Sequence, residues 1–129
     1  MASRPKTLPP TLRERERYIA YEIISEEPVD FGEFITSFYQ SLLNLVGELG
    51  ASEVNAWVIR DDWDQERQRG IIKCDHRHVN ETRVALALMT HVGNTMVIVR
   101  TLGISGTLKG ARKKYFGERD LTDYQKSGK

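Results

Sequence analysis

The order of hydrophobic patterns along this chain restricts its fold more than any other feature. Four segments rich in β-branched and aromatic residues, at 17–25, 54–60, 69–75 and 95–102, are typical of strands. Helical periodicity separates the first from the second and the third from the fourth. The order β-α-β-β-α-β predicts an α+β, ferredoxin-like (RRM-like) domain. In it, a four-stranded antiparallel sheet, ordered 4-1-3-2, carries two helices on one face.

Capping signals set the expected bounds of the two helices. Asp30 and Glu33 form an Asp-x-x-Glu pattern, which predicts a first helix that begins there and ends near Gly50. Asp75 is the expected cap of a second helix over about 76–92. The first helix is predicted to bury one apolar face, made of Phe31, Phe34, Ile35, Phe38, Leu42, Leu45, Val46 and Leu49.

Alternation along the strands assigns each side chain to one face of the sheet. On the face away from the helices, Glu22 is expected beside Lys73 and Arg100 on neighbouring strands. There the charges pair in solvent, or Lys73 and Arg100 contribute to RNA binding. The residues predicted to face the helices are Ile19, Tyr21, Ile23, Ile72, Cys74, Val97 and Val99.

Sheets of this kind often bind single-stranded RNA through aromatic residues on the third strand. Here the third strand begins with the matching pair Arg69-Gly70, but the aromatic positions hold Ile71, Lys73 and His76. Base stacking on this strand is therefore not expected. If the chain binds RNA, charge and shape are the expected means.

The net charge of +1 conceals an uneven distribution of charge. Residues 1–17 carry five basic and two acidic side chains, residues 18–99 carry six and thirteen, and residues 100–129 carry eight and three. The two basic ends form one positive surface if the fold brings them together. The predicted organisation is a basic N-terminal arm at 1–16, a domain at 17–117 and a flexible tail at 118–129.

A short basic helix is predicted over residues 105–116, after the last strand, so the fold gains a third, C-terminal helix. Ser105 is its expected N-cap. The backbone N–H groups of Gly106, Thr107 and Leu108 would then form a phosphate site at the helix N-terminus.

Helical spacing divides this third helix into a packed side and a cationic side. Leu108, Ala111 and Tyr115 fall on the side that packs. A cationic arc that contains an aromatic residue suggests contact with a nucleic-acid backbone; the alternative is a solvated C-terminal helix. The predicted RNA contact consists of Lys109, Arg112 and Lys113, with Phe116 among them, and of Arg13, Arg15 and Arg17 from the other basic end.

The second helix has more apolar surface than packing on the sheet requires. Ala85, Leu88 and Val92 extend its apolar arc to roughly 180°. This surplus predicts a protein partner at these three residues. The alternative is a deeply set helix that the N-terminal segment or the third helix covers.

Other candidate sites have weaker support. Cys74, Asp75, His76 and His78 are potential metal ligands, but their side chains diverge at a strand-to-helix junction. The acidic segment 61–66 is expected to be a solvated hairpin loop rather than a Mg²⁺ site. No catalytic residue, metal site or bound cofactor is predicted. A single cysteine and the lack of an apolar run of about 20 residues favour a cytoplasmic protein with no membrane contact.

Three stretches together resemble archaeal ribonuclease P protein component 2, a family related to a subunit of the eukaryotic nuclear enzyme. They are TLPPTLRERERYIAYEIIS at 7–25, GIIKCDHRHV at 70–79 and RTLGISGTLKGARKKYF at 100–116. The resemblance covers residues 7 to about 117. The acidic segment 61–66 and the tail after Gly117 are not features of the family.

The resemblance implies a function that spacing alone does not supply. Ribonuclease P removes the 5′ leader from precursor tRNA, and its RNA subunit is catalytic and uses Mg²⁺. The chain would be an accessory subunit that contacts this RNA with ribonuclease P protein component 3, in an assembly with two copies of each, beside other ribonuclease P proteins. Two alternatives remain open. One is a small-molecule-binding regulatory domain, and the other is a metal-dependent enzyme that uses the cluster at 74–78.

Overall fold

An antiparallel sheet of five strands, in the order β2-β3-β1-β5-β4, forms the centre of the fold. The computed structural model describes residues 15–116. The strands are β1 (Glu16–Ser25), β2 (Trp57–Asp64), β3 (Arg69–Asp75), β4 (His91–Val92) and β5 (Thr95–Ser105). Four of them have the predicted ferredoxin-like order, which is thereby confirmed, and β4 is an addition at the outer side of β5.

Three helices lie on the two faces of the sheet. They are α1 (Phe31–Val54), α2 (Val79–Leu88) and α3 (Leu108–Tyr115), and a single 3-10 turn at His76–His78 leads into α2. α1 and α2 share the main core with one face of the sheet, and α3 forms a smaller core on the other face. Among the described residues, no helix combines the length and the apolar character that a membrane span needs.

The main core lies between the sheet and α1 with α2. All seven strand residues that were predicted to face the helices are buried in it. The ring of Tyr21 stacks on Phe34 with 5.0 Å between centroids, and Trp63 stacks against both. Such aromatic pairs contribute about 0.5–1.5 kcal/mol beyond the area that they bury.

α1 begins where the sequence predicts and ends later. The Asp30 carboxylate accepts a hydrogen bond from the Glu33 N–H (3.0 Å), which confirms the predicted cap. Gly47 has φ 76° and ψ 177°, so the helical turn is interrupted there before the helix resumes and ends at Val54. This break changes the phase of the residues after it. Leu49, predicted to be buried, is therefore 84% exposed.

The acidic segment forms part of a strand instead of the predicted loop. β2 continues to Asp64, and the turn to β3 is made by residues 65–68. Gln68 closes this turn in a left-handed conformation (φ 57°), and its side-chain oxygen accepts a hydrogen bond from the Val29 N–H (2.9 Å). Trp63 is fixed between aromatic neighbours in the main core, and this packing extends the strand through the acidic residues.

The second helix is shorter than predicted. The Asp75 carboxylate caps its 3-10 start by accepting from the Arg77 N–H (2.8 Å), as expected. α2 then ends at Leu88, because Met89 is extended and its N–H donates to the Leu86 carbonyl (3.2 Å). The predicted last turn of the helix is instead the strand β4, which contains Val92.

β5 serves both cores because it contains a bulge. The pairing with β1 shifts between Ala20 and Tyr21, which oppose Gly103 and Thr101, so Leu102 is an extra residue. Before the bulge, Val99 faces the main core. After it, Leu102 packs on the smaller core under α3. The face that was expected to be open to solvent is thus partly covered by α3.

Candidate nucleic-acid interface

The start of α3 differs from the prediction. Thr107, not Ser105, is the N-cap, and its hydroxyl accepts a hydrogen bond from the Gly110 N–H (3.0 Å). The Ser105 hydroxyl accepts instead from the Thr107 N–H (3.2 Å). Ser105 belongs to β5, where it pairs with Tyr18, and this pairing delays the helix. Gly106 and Thr107 precede the helix, so the predicted phosphate site made from their N–H groups is not formed as expected.

The packed side of α3 is as predicted, with one addition. Ala111 is fully buried against Ala20 and Ile71, and Leu108 and Tyr115 pack around it. Phe116, which was predicted to lie among the cations, is 9% exposed and belongs to this smaller core. The C-cap residue is extended, and this backbone turns its ring inward.

Tyr115 holds α3 close to the sheet because its ring lies over Gly103. A Cβ atom at position 103 would collide with the Tyr115 hydroxyl and ring. Only glycine allows this approach. The sequence offers Gly103 as one of ten glycines, and nothing in its local pattern indicates this contact.

The cations of α3 fall into two groups. Arg112 is bound to the Asp62 carboxylate of β2 through Nε–Oδ1 at 2.7 Å and Nη2–Oδ2 at 3.2 Å. Lys109 and Lys113 are exposed, and neither has an acidic group within ion-pair distance among the residues that the structure describes. Lys114 lies 6.0 Å from the centroid of the Tyr115 ring. Arg112 therefore positions the helix, and the two lysines are its available charges.

The cations predicted on the sheet face are paired. Lys73 Nζ lies 3.5 Å from the Glu16 carboxylate, and Arg100 and Arg69 share Glu22 at 2.8 and 3.2 Å. Burial opposes the charge on Glu22, but hydrogen bonds from the two guanidinium groups outweigh it and lower the pKa of this carboxyl. Ion pairs on the sheet face, one of the two predicted alternatives, are therefore present. The expected neighbour of Glu22 on β3 is corrected, because Arg69 and not Lys73 lies opposite it.

The described parts of the two basic segments, residues 15–17 and 105–116, lie at the same end of the sheet. Tyr18 near the start of β1 pairs with Ser105 at the end of β5. Arg15, which is exposed, accepts a hydrogen bond at its carbonyl from the His76 N–H (3.0 Å). Arg17 donates to the carbonyl of Glu16 (2.9 Å). Arg13 lies outside the described residues.

The predicted partner residues on the second helix are corrected in part. Ala85 and Val92 are buried in the main core, with 0% and 1% of their surface exposed, so neither can contact a partner directly. The Ala85 carbonyl accepts a hydrogen bond from the Ser41 hydroxyl (2.7 Å), which ties α2 to α1. Leu88 is 57% exposed, as a partner residue should be.

The exposed apolar surface near Leu88 extends onto α1, which the sequence did not predict. An open groove between α1 and the end of α2 has Leu45 and Leu88 in its lining. Leu43 and Leu49 on α1 are also exposed. The period of 3.6 residues predicts Leu45 and Leu49 on the buried face, and both predictions are wrong, since the two side chains are 39% and 84% exposed. Leu49 follows the break at Gly47, whereas Leu45 lines the groove.

The cluster at 74–78 does not converge. Cys74 is buried in the main core, and burial raises the pKa of its thiol. Asp75 pairs with Arg77, and His78 contacts Glu81 at 3.3 Å. Within residues 15–116, no group of three or more metal-ligating side chains is close enough to hold an ion. The metal-dependent enzyme alternative therefore has no support from this geometry.

The fold and the basic helix on its sheet define an α+β domain of the ferredoxin-like class. A chain in the cryo-EM structure of yeast ribonuclease MRP shares this fold, with a TM-score of 0.57 and 12% identity over 90% of this chain and 95% of that one. The chain belongs to the Rpp14/Pop5 family, whose model matches residues 17–116.

Curated relatives match almost over their whole length. Ribonuclease P protein component 2 of Thermococcus gammatolerans is 42% identical over 118 residues, which cover 92% of this chain and 97% of the relative. The protein of the same name from Archaeoglobus fulgidus is 42% identical over 110 residues, which cover 85% of this chain and 96% of the relative. That of Methanosarcina acetivorans is 38% identical, with 93% and 86% covered.

Proposed function

We propose that this chain is a protein subunit of ribonuclease P, the ribonucleoprotein that removes the 5′ leader from precursor tRNA in the cytoplasm. The observation that carries the proposal is the match to curated ribonuclease P protein component 2 over nearly the full length of those proteins. In this role the chain binds and supports the catalytic RNA together with component 3. The RNA subunit supplies catalysis and uses Mg²⁺, and the chain contributes no catalytic group.

The RNA contact that the geometry favours is the exposed side of α3. Lys109 and Lys113 point away from the smaller core, and Arg112 holds the helix in place through Asp62. Arg15 lies at the same end of the sheet. When these cations neutralise RNA phosphates, counterions are released, and this release favours binding. The same cations reduce the repulsion between phosphates and so help the RNA keep its active geometry.

The surface that suits component 3 is the apolar rim of the groove between α1 and α2. It presents Leu45 and Leu88, with Leu49 nearby on α1, and polar side chains such as Ser41 and Asn44 line the groove between the helices. An apolar centre with a polar surround is the composition of protein interfaces. An assembly with two copies of each component would place two such surfaces in the particle.

Reconstitution tests this function. The RNA subunit, component 3 and the chain are combined with precursor tRNA and Mg²⁺, and cleavage at the 5′ leader is measured with and without the chain. We expect stimulation by the chain and no cleavage by the chain alone. Cleavage by the chain in the absence of RNA, or no effect on the reconstituted particle, would refute the proposal.

A further inference from the structure

We propose that Trp57, Lys73 and Tyr18 form a stacking site for an unpaired RNA base on the sheet. These residues oppose one another directly on β2, β3 and β1, so their side chains share one face. The inference rests on the proposed RNA-binding function and extends the contact from phosphates to a base.

The exposure of Trp57 is the first observation. Its neighbour Val58 is buried in the main core, and alternation therefore directs Trp57 to the other face. There it is 63% exposed and belongs to neither hydrophobic core of the described residues. The second tryptophan, Trp63, has a structural role, because it stacks with Tyr21 and Phe34. Among the described residues, Trp57 has no comparable aromatic packing that would give it a structural role.

The charge beside the ring is the second observation. Lys73 lies between Trp57 and Tyr18 along the row, and its ammonium is 3.5 Å from the Glu16 carboxylate. The Tyr18 hydroxyl also donates to Glu16 (3.3 Å), and burial and this carboxylate raise the pKa of Tyr18. A nucleotide that stacks on Trp57 would bring its phosphate to Lys73 in competition with Glu16. Aromatic rings combined with a cation are the usual composition of sites for unpaired nucleotides.

The site is continuous with the proposed RNA surface on α3. The next row of the sheet contains Ile59, Ile71 and Ala20, and it lies beneath α3. Consecutive rows are about 7 Å apart, so Trp57 lies one row from the residues that α3 covers. One RNA strand can thus place a base on Trp57 and its phosphates near α3. RNA-binding sheets of this kind usually have their stacking aromatic residues on the third strand. Here the ring belongs to Trp57 on β2, which pairs with Lys73 of the third strand.

The test uses the full chain and a hexaribonucleotide of adenosines, with a blunt RNA duplex as the paired counterpart. We expect the hexamer, and not the duplex, to quench tryptophan fluorescence. Trp57→Ala should weaken hexamer binding by roughly 5- to 100-fold. Trp57→Phe should keep most of the affinity but lose the quenching. Met96→Ala, which removes an apolar side chain that is 72% exposed on β5 and outside this row, is the matched control and should bind as wild type.

Glu16→Gln examines the role of Lys73. Removal of the carboxylate frees the Lys73 ammonium and also removes a negative charge that repels RNA phosphates. Hexamer affinity should therefore rise several-fold. Unchanged affinity in Trp57→Ala, or weaker binding in Glu16→Gln, would overturn the proposal. So would a Trp57→Ala chain that loses only its binding to component 3, since the ring would then contact protein. Failure of the wild-type chain to stimulate reconstituted ribonuclease P contradicts the proposed function, whereas hexamer binding and quenching report on the stacking site alone.

Discussion

Arg112 on α3 and Asp62 on β2 are joined by two hydrogen bonds across fifty positions of sequence, at 2.7 and 3.2 Å. The carboxylate side chain is only 9% exposed, whereas the arginine side chain is 45% exposed. This pair gives the acidic strand end a role in the position of the basic helix. It also removes Arg112 from the charges that are freely presented to RNA.

Asp62→Asn should loosen α3 while the rest of the domain stays folded. The loss of a charged partner in a half-exposed pair costs about 1 kcal/mol. Amide hydrogen exchange in α3 should accelerate by about fivefold, which native-state exchange measured by mass spectrometry can detect. Asp61→Asn changes the exposed neighbouring carboxylate and should leave exchange in α3 as in wild type. Equal effects of the two variants would contradict the anchoring role of Asp62.

Replacement of Lys109 and Lys113 together by alanine should weaken binding to the ribonuclease P RNA and flatten its salt dependence. Each phosphate contact contributes a slope of roughly 0.7 to 0.9, so the double variant should lose roughly 1.4 to 1.8 units. Titrations at several salt concentrations measure this slope. Lys114→Ala is the control, because Lys114 lies over the Tyr115 ring. An unchanged slope in the double variant would exclude α3 as the RNA contact.

Gly103→Ala should displace Tyr115 and destabilise the smaller core. The added methyl group collides with the ring, and overpacking of this kind costs about 1–3 kcal/mol. For a domain of this size, the Tm in thermal unfolding should fall by roughly 4 °C or more. Gly106→Ala is the matched control, since a Cβ atom there meets nothing within 4 Å. A stable Gly103→Ala chain would show that the ring is not held against the sheet.

Leu88→Asp should weaken binding to component 3 without unfolding the domain. Leu88 is 57% exposed in the free chain, so the carboxylate remains solvated until a partner covers it. Desolvation then costs a few kcal/mol, which corresponds to roughly 10- to 100-fold in affinity measured by calorimetry. Ala85→Asp is the contrasting variant and should unfold the domain, because Ala85 is fully buried. Wild-type affinity in Leu88→Asp would place component 3 on another surface.

Asp75→Asn should lower stability at neutral pH and have no effect in strong acid. Hydrogen bonds from Arg77 lower the pKa of Asp75 to about 2, below its value in an unfolded chain. The charge therefore contributes stability that is fully present above about pH 4 and is lost as the pH falls through about 2. Urea unfolding at pH 7 should show a loss of about 0.5–1 kcal/mol that disappears at about pH 1. A constant difference across this range would show that the charge is irrelevant.

Local patterns in the sequence were sufficient for most of the fold. The strand order, the caps at Asp30 and Asp75 and the seven inward-facing strand residues were predicted and are confirmed. These features depend on alternation and on hydrogen bonds between near neighbours, which a single sequence records. The packed side of α3 was predicted for the same reason.

The errors arise where a distant contact decides between two acceptable local states. Ser105 and Thr107 are both good caps, and only pairing with Tyr18 assigns Ser105 to the strand. The acidic segment became a strand because Trp63 packs in the core. Ala85 and Val92 have the spacing of a surface arc, but α1 and the hairpin at β4 bury them.

The sequence likewise could not predict that Arg112 is bound to a carboxylate of the same chain. Its helical position was predicted, whereas its partner Asp62 lies fifty residues away. Which of the proposed residues contact RNA stays a prediction for the experiments above.

The bulge at Leu102 makes the length of β5 as important as its composition. The extra residue shifts the alternation of β5 by one position, so Val99 before it faces the main core and Gly103 after it faces the Tyr115 ring of α3. Deletion of a single residue here would move every preceding side chain of β5 to the opposite face of the sheet, and Arg100 would then point into the main core. Homologous chains should therefore tolerate insertions in the turn at 93–94 but keep the interval from Val99 to Gly103 constant.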